Sequence, residues 1–270
     1  MAKPTFSDCS PPNLNNLFQA AQDEGLLSQA SMQALNVIDL GSQIQAGLGV
    51  NVDDVTASEV VLVTIMPDDS GSIRFSGNTQ AVRGGHNSVL DALQDSPQQD
   101  NILIHTRYLN GSVLFPYRPL SQAVRMDTKN YNPNLGTPLY DQTLVLLGTV
   151  LAKSQEFADN GVPVRTITLI ITDGSDEGSR RANAQDVAAV VRDMLRAENH
   201  IIAAMGIDDS YTNFRQVFQA MGIRDEWILT PGNSESEIRQ AFQVFSQSVI
   251  QVSQAANSSN QSFLGGFGTP

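Results

Sequence analysis

The stretch VVLVTIMPDDSGSI, residues 60–73, places two acids, two serines and a glycine directly after an apolar run. Asp68, Ser70 and Ser72 stand in it at D-x-S-x-S spacing. TLIITDGSDEG, residues 168–178, repeats the arrangement, with Asp173 following a second apolar run. LGTPLYD, residues 135–141, adds Thr137 just before a long apolar segment. Carboxylate and hydroxyl oxygens are what a hard divalent cation takes, and Mg²⁺ wants six of them at about 2.1 Å. The plainer reading stands beside this one. Asp68 and Ser70, or Asp173 with Gly174, can make ordinary polar turns, and Thr137 can serve only as a helix cap. The neighbouring acids Asp69, Asp176 and Glu177 read as solvated rim charges rather than ligands.

These segments need elements to hold them. Runs of β-branched and apolar residues at 59–66, 164–172 and 200–207 read as strands buried on both faces. NILIHTRYL and GSVLFPYRPL, residues 101–109 and 111–120, read as a hairpin turning at Asn110 and Gly111. A short strand is expected at 226–230. Helical patterns cover 13–25, 27–48, 78–95, 138–158, 182–198, 210–221 and 235–256. Ser234 and Glu237 have capping-box spacing at the start of the last helix. Alternation of strands and helices predicts an α/β fold: a doubly wound, Rossmann-like, mostly parallel sheet with one antiparallel edge strand, flanked by helices. Residues 1–57 form an N-terminal arm and helical appendage, 58–257 the main domain, and 258–270 a flexible Gly/Ser/Asn-rich tail in which Phe263 and Phe267 could dock. Ligands of such sheets bind outside the carboxyl ends of the strands, where all three oxygen-rich segments fall. Two details sit awkwardly. Pro67 lacks a ladder donor, so it must lie where the strand ends or bulges. Gly84 and Gly85 weaken the helix that contains them, which a close helix–sheet contact would explain.

D-x-S-x-S after a buried strand, then Thr137 in GTPL, then TDG after another buried strand, in that order, resembles the metal-ion-dependent adhesion site of von Willebrand factor A domains. The likeness covers roughly residues 59–250 and is to the intracellular bacterial type. It implies that Ser70, Ser72 and Thr137 supply hydroxyl oxygens to a metal and that Asp68 and Asp173 hold its waters or bind it directly. Mg²⁺ or Mn²⁺ fits best, and Ca²⁺ less well. Neutral hydroxyls leave the ion's charge under-compensated, so a carboxylate from outside becomes its preferred remaining ligand. The implied function is a metal-dependent protein-binding or adaptor module that captures a Glu or Asp of a partner, with an AAA+ ATPase as one such partner. Two other readings stay open: a metal-dependent phosphoryl-transfer or hydrolytic enzyme using the same acids, and a structural protein that self-assembles as a homo-oligomer.

Composition narrows the classes further. The chain has 270 residues with 41% hydrophobic content, enough for a sizeable core. Its formal net charge of −12 and three lysines (Lys3, Lys129, Lys153) argue against nucleic acid or an anionic membrane as partner. Cys9 is the only cysteine, so no internal disulfide or thiolate cluster is expected. No apolar window reaches membrane-spanning length, and the first residues lack an apolar leader, so a cytoplasmic protein is expected. No phosphate-binding loop ending in Lys-Ser/Thr and no G-x-S-x-G elbow is present. His86, His105 and His200 are scattered and read as structural.

Overall fold

The computed structural model describes residues 13–255 and 266–267. The arm at 1–12, Cys9 and Phe263 lie outside these. Three helices open the described chain: α1 (Leu14–Asp23), α2 (Gln29–Ala34) and α3 (Val37–Leu48). The single helix expected over 27–48 is therefore two. Asn36 breaks it, because its side chain accepts from the Ile38 amide at 3.1 Å and caps a new helix instead of continuing the old one.

The main body follows as β1 (Val60–Met66), α4 (Gly71–Phe75), α5 (Thr79–Gln94), β2 (Ile102–Arg107), β3 (Val113–Pro119), α6 (Leu139–Asp159), β4 (Val164–Thr172), α7 (Ala184–Arg196), β5 (His200–Gly206), α8 (Phe214–Ala220), β6 (Ile228–Leu229) and α9 (Glu235–Ala255). The six strands form one sheet in the order β3-β2-β1-β4-β5-β6. Every pairing is parallel except β2 with β3, so the antiparallel strand sits at the edge as the hairpin predicts. β1 and β4 are buried along almost their whole length, which is why they read as continuous apolar runs. The chain builds outward from β1 to β3 on one side and from β4 to β6 on the other. The switch between these directions falls at the carboxyl ends of β1 and β4, the place where such sheets bind ligands.

Helices flank the sheet. α5 pairs with α9, and α6 lies beside α7. α6 is buried nearly all round because the N-terminal helices cover it: α1 and α3 pack on α6, and α2 on α7. The Asp193 carboxylate of α7 ties α2 down, accepting from the Ser28 amide and the Ser31 hydroxyl at 2.6 Å each. Gly85 meets the ring of Phe242 from α9: a Cβ there would stand 2.0 Å from it, so the close contact is between helices rather than between helix and sheet. Pro67 lies one residue beyond β1, where no ladder donor is needed, and its carbonyl accepts from the Leu109 amide at 3.1 Å. The three histidines are buried and hydrogen-bonded within the body, His86 to Thr106, His105 to the Phe115 carbonyl and His200 to Thr166. Phe267 packs edge-on against Trp227 at a centroid distance of 5.0 Å, so one of the two tail phenylalanines does dock. Among the described residues, no helix is long and apolar enough to cross a membrane.

Candidate metal centre

The loop after β1 is built by its own first acid. Asp68 is fully buried, and its Oδ1 accepts from the Ser70 amide at 2.7 Å, closing a tight turn. Its Oδ2 accepts from the Thr172 hydroxyl at 2.7 Å, locking the loop to the end of β4. The turn brings Ser70 and Ser72 together, with 2.8 Å between their hydroxyl oxygens. Ser72 then donates to Asp173 Oδ1 at 2.6 Å. Four of the five sequence-predicted residues are thus joined by a chain of hydrogen bonds across two strand ends.

Thr137 arrives from a third segment. The backbone at Leu135 runs beside Ser70 and accepts from the Gly71 amide at 2.9 Å, while Thr137 pairs with Glu177 on the far side. A Cβ placed on Gly174 would lie 4.0 Å from both Ser72 Oγ and Thr137 Oγ1, so both hydroxyls face the backbone just after Asp173. Thr137 does not cap α6. The Ser179 hydroxyl takes that role, accepting from the amides of Tyr140 and Asp141 at 3.0 Å each. The helix-cap explanation of Thr137 therefore falls away.

Two residues outside the predicted ligand set hold this arrangement. Asp69, expected as a solvated rim charge, is 5% exposed. Its carboxylate accepts from the Asn110 amide at 3.0 Å and from the Asn110 side chain, and its carbonyl accepts from the amides of Asn134 and Leu135. It fastens the hairpin turn and the Thr137 segment to the β1 loop. Tyr131, also buried, donates its hydroxyl to the Asp68 carbonyl at 2.5 Å. Neither carries a local motif. Only the unusual pairing of two acids at 68–69 could have drawn attention to Asp69. Asp176 is half-buried and accepts from Ser179, and Glu177 is exposed, as expected of a rim.

The electrostatics are those of an uncompensated acidic pocket. Burial pushes Asp173 up to about 6, and the charge of Asp68 adds to it. Burial likewise drives Asp69 to about 7 and raises Asp68. Asp173 Oδ2 is buried without a hydrogen-bond partner. An orphaned carboxylate oxygen is costly, and a cation beside it removes the cost. Among the described residues, no group of three or more His, Cys, Asp or Glu side chains is placed to hold an ion. The oxygens that could hold an ion here are the hydroxyls of Ser70, Ser72 and Thr137 together with the Asp173 carboxylate. That oxygen-only donor set, three neutral hydroxyls and one carboxylate, fits a hard divalent cation.

No protein-family model matches the sequence, and no curated protein does. Solved structures do match by shape. The SpaC pilus adhesin of Lactobacillus rhamnosus GG, in its open conformation, aligns with a TM-score of 0.52 at 14% identity, over 73% of this chain and 30% of the adhesin. The fold is that of a von Willebrand factor A domain. Weaker likenesses are to a von Willebrand factor type A protein from Catenulispora acidiphila (TM-score 0.47, 18% identity, 72% of this chain and 43% of that one) and to proximal thread matrix protein 1 of the mussel byssus (0.49, 15%, 72% and 48%). The chain thus spans less than half the length of each of these three proteins. At 14% identity the likeness to the adhesin shows the fold alone and says nothing of what this chain binds.

Proposed function

We propose that the chain is a divalent-metal-dependent protein-binding module. Asp68, Ser70, Ser72, Thr137 and Asp173 form its metal centre, and an acidic side chain of a partner protein completes it. One observation carries this reading: Asp173 Oδ2 is buried and unpartnered on the carboxylate that Ser72 meets, with the hydroxyls of Ser70 and Thr137 close by. When bound, the cation supplies a Lewis-acidic position that a carboxylate can occupy. Ser70 and Ser72 meet it with neutral oxygens. Asp173 contributes charge, and Asp68, with both oxygens already engaged, orients the loop that carries the serines. Mg²⁺ or Mn²⁺ is the proposed ion, since all the donors are oxygens.

SpaC, whose fold aligns over 73% of this chain, is named as a pilus adhesin, which agrees with a binding role. An AAA+ ATPase remains the partner class that the sequence resemblance implies, in a cytoplasmic setting. Affinity purification tests the reading. Partner proteins recovered on the wild-type chain in Mg²⁺ should be lost in EDTA and lost with Ser70→Ala. Recovery that is indifferent to both would overturn it.

A further inference from the structure

Four large hydrophobic side chains stand exposed among the described residues: Ile38, Phe75, Leu135 and Tyr211. Three of them come from the loops around the metal centre. Phe75 ends the helix that Ser70 and Ser72 begin, and its ring lies 3.5 Å from where a Gly71 Cβ would stand. Leu135 accepts from the amide of that same Gly71. Tyr211 lies on the loop after β5, which leaves the sheet beside Asp173: the Ile207 amide donates to the Thr172 carbonyl at 2.9 Å.

The Tyr211 loop is constructed rather than loose. Asp209 accepts from the amides of Tyr211 and Thr212 and from the Thr212 hydroxyl. Asp208 accepts from the Ser210 amide, and Ser210 is held at φ 67°, a conformation costly for a residue with a side chain. The loop thus holds a 95% exposed tyrosine outward at the expense of strain. Exposed aromatic anchors of this kind carry much of the energy in protein interfaces.

The charges around these three are unequal. Asp176, Glu177, Asp208 and Asp209 follow β4 and β5, and Asp68, Asp69 and Asp173 lie beneath them. The cations of the same loops are fewer: Arg74, its guanidinium 5.0 Å from the Phe75 ring centre, and, further along the loop after β4, Arg180 and Arg181, the latter paired with Asp39. A partner dense in acids would be repelled by this fringe and by a net charge of −12. We propose that Phe75, Leu135 and Tyr211 form an apolar collar around the metal centre, which selects a protein segment whose single acidic residue is flanked by apolar or aromatic side chains and not by further acids. This rests on the metal-centre reading above and names the partner chemistry for that site.

A displayed random-peptide library, selected on the full chain in Mg²⁺ and eluted with EDTA, tests it. The enriched peptides should carry one Asp or Glu among Leu, Phe, Tyr or Trp. The triple variant Phe75→Ser, Leu135→Ser, Tyr211→Ser should recover at least about tenfold fewer of them while binding Mg²⁺ in calorimetry as the wild type does. All three side chains are exposed, so the fold does not depend on them. Enrichment of acid runs, absence of apolar bias, equal capture by the variant, or no capture by Mg²⁺-loaded wild type would each overturn the collar. Failure of the wild type to bind Mg²⁺ would show in calorimetry as a separate result and would remove the metal centre and the collar together.

Discussion

Single residues divide here into those that would touch the ion and those that hold the former in place. Asp68, Ser70, Ser72, Thr137 and Asp173 were legible in the sequence because their side-chain types and order carry the chemistry. Asp69 and Tyr131 were not, because their importance lies in partners 41 and 63 residues away. Tyr131 offers a clean test of positioning. Replacing it with Phe removes only the hydroxyl that holds the Asp68 carbonyl. Mg²⁺ affinity should fall by about tenfold, while the metal-free protein loses only about 1 kcal/mol. Titration calorimetry and thermal melts in EDTA read the two separately. Unchanged affinity would mean that the β1 loop keeps its shape without this bond.

At the scale of elements, β1, β4 and β5 were plain because strands buried on both faces have little freedom in composition. The breaks were harder to see. The α2–α3 break depends on a side-chain cap at Asn36 that periodicity does not register, and β6 has only two residues, with a turn at 225–227 standing where strand was expected. α4 was missed because five residues show no helical period. The adjacent glycines of α5 were noticed, but their reasons differ. Gly84 has nothing within 4 Å of its would-be Cβ, whereas Gly85 is filled by Phe242. Gly84→Ala should therefore stabilise the protein by about 1 kcal/mol through helix propensity. Gly85→Ala should destabilise it by roughly 1–3 kcal/mol through overpacking against α9. Chemical denaturation of the two variants checks the opposite signs, and matching signs would refute the α5–α9 packing described.

The whole molecule carries two opposing responses to pH. Burial lowers His86 and His200 to about 4 and His105 to about 3. The unfolded chain therefore takes up these protons first as pH falls below about 6.5, and stability is lost, by about 1.4 kcal/mol per histidine at pH 5.5. Asp173 acts the other way in the metal-free protein. Its folded value of about 6 lies above the unfolded one, so stability present at low pH is lost as pH rises through 4 to 6. A cation on the ionised carboxylate cancels that loss. The rise in melting temperature on adding Mg²⁺ should accordingly be larger at pH 8 than at pH 5, and equal rises at both would count against a metal held by these acids. The fold class, the antiparallel edge and the placement of the site at the strand ends were legible in the sequence pattern as a whole, whereas the strand order was not stated by it and this balance depends on burial that no local stretch reveals. The most direct measurement is a calorimetric titration of Mg²⁺ into the wild-type chain and into Asp173→Ala at pH 8. Saturable binding of one ion by the wild type, weakened at least about 100-fold in the variant, is the expected result. No binding by the wild type, or the same affinity in both, would contradict a metal centre at the ends of β1 and β4.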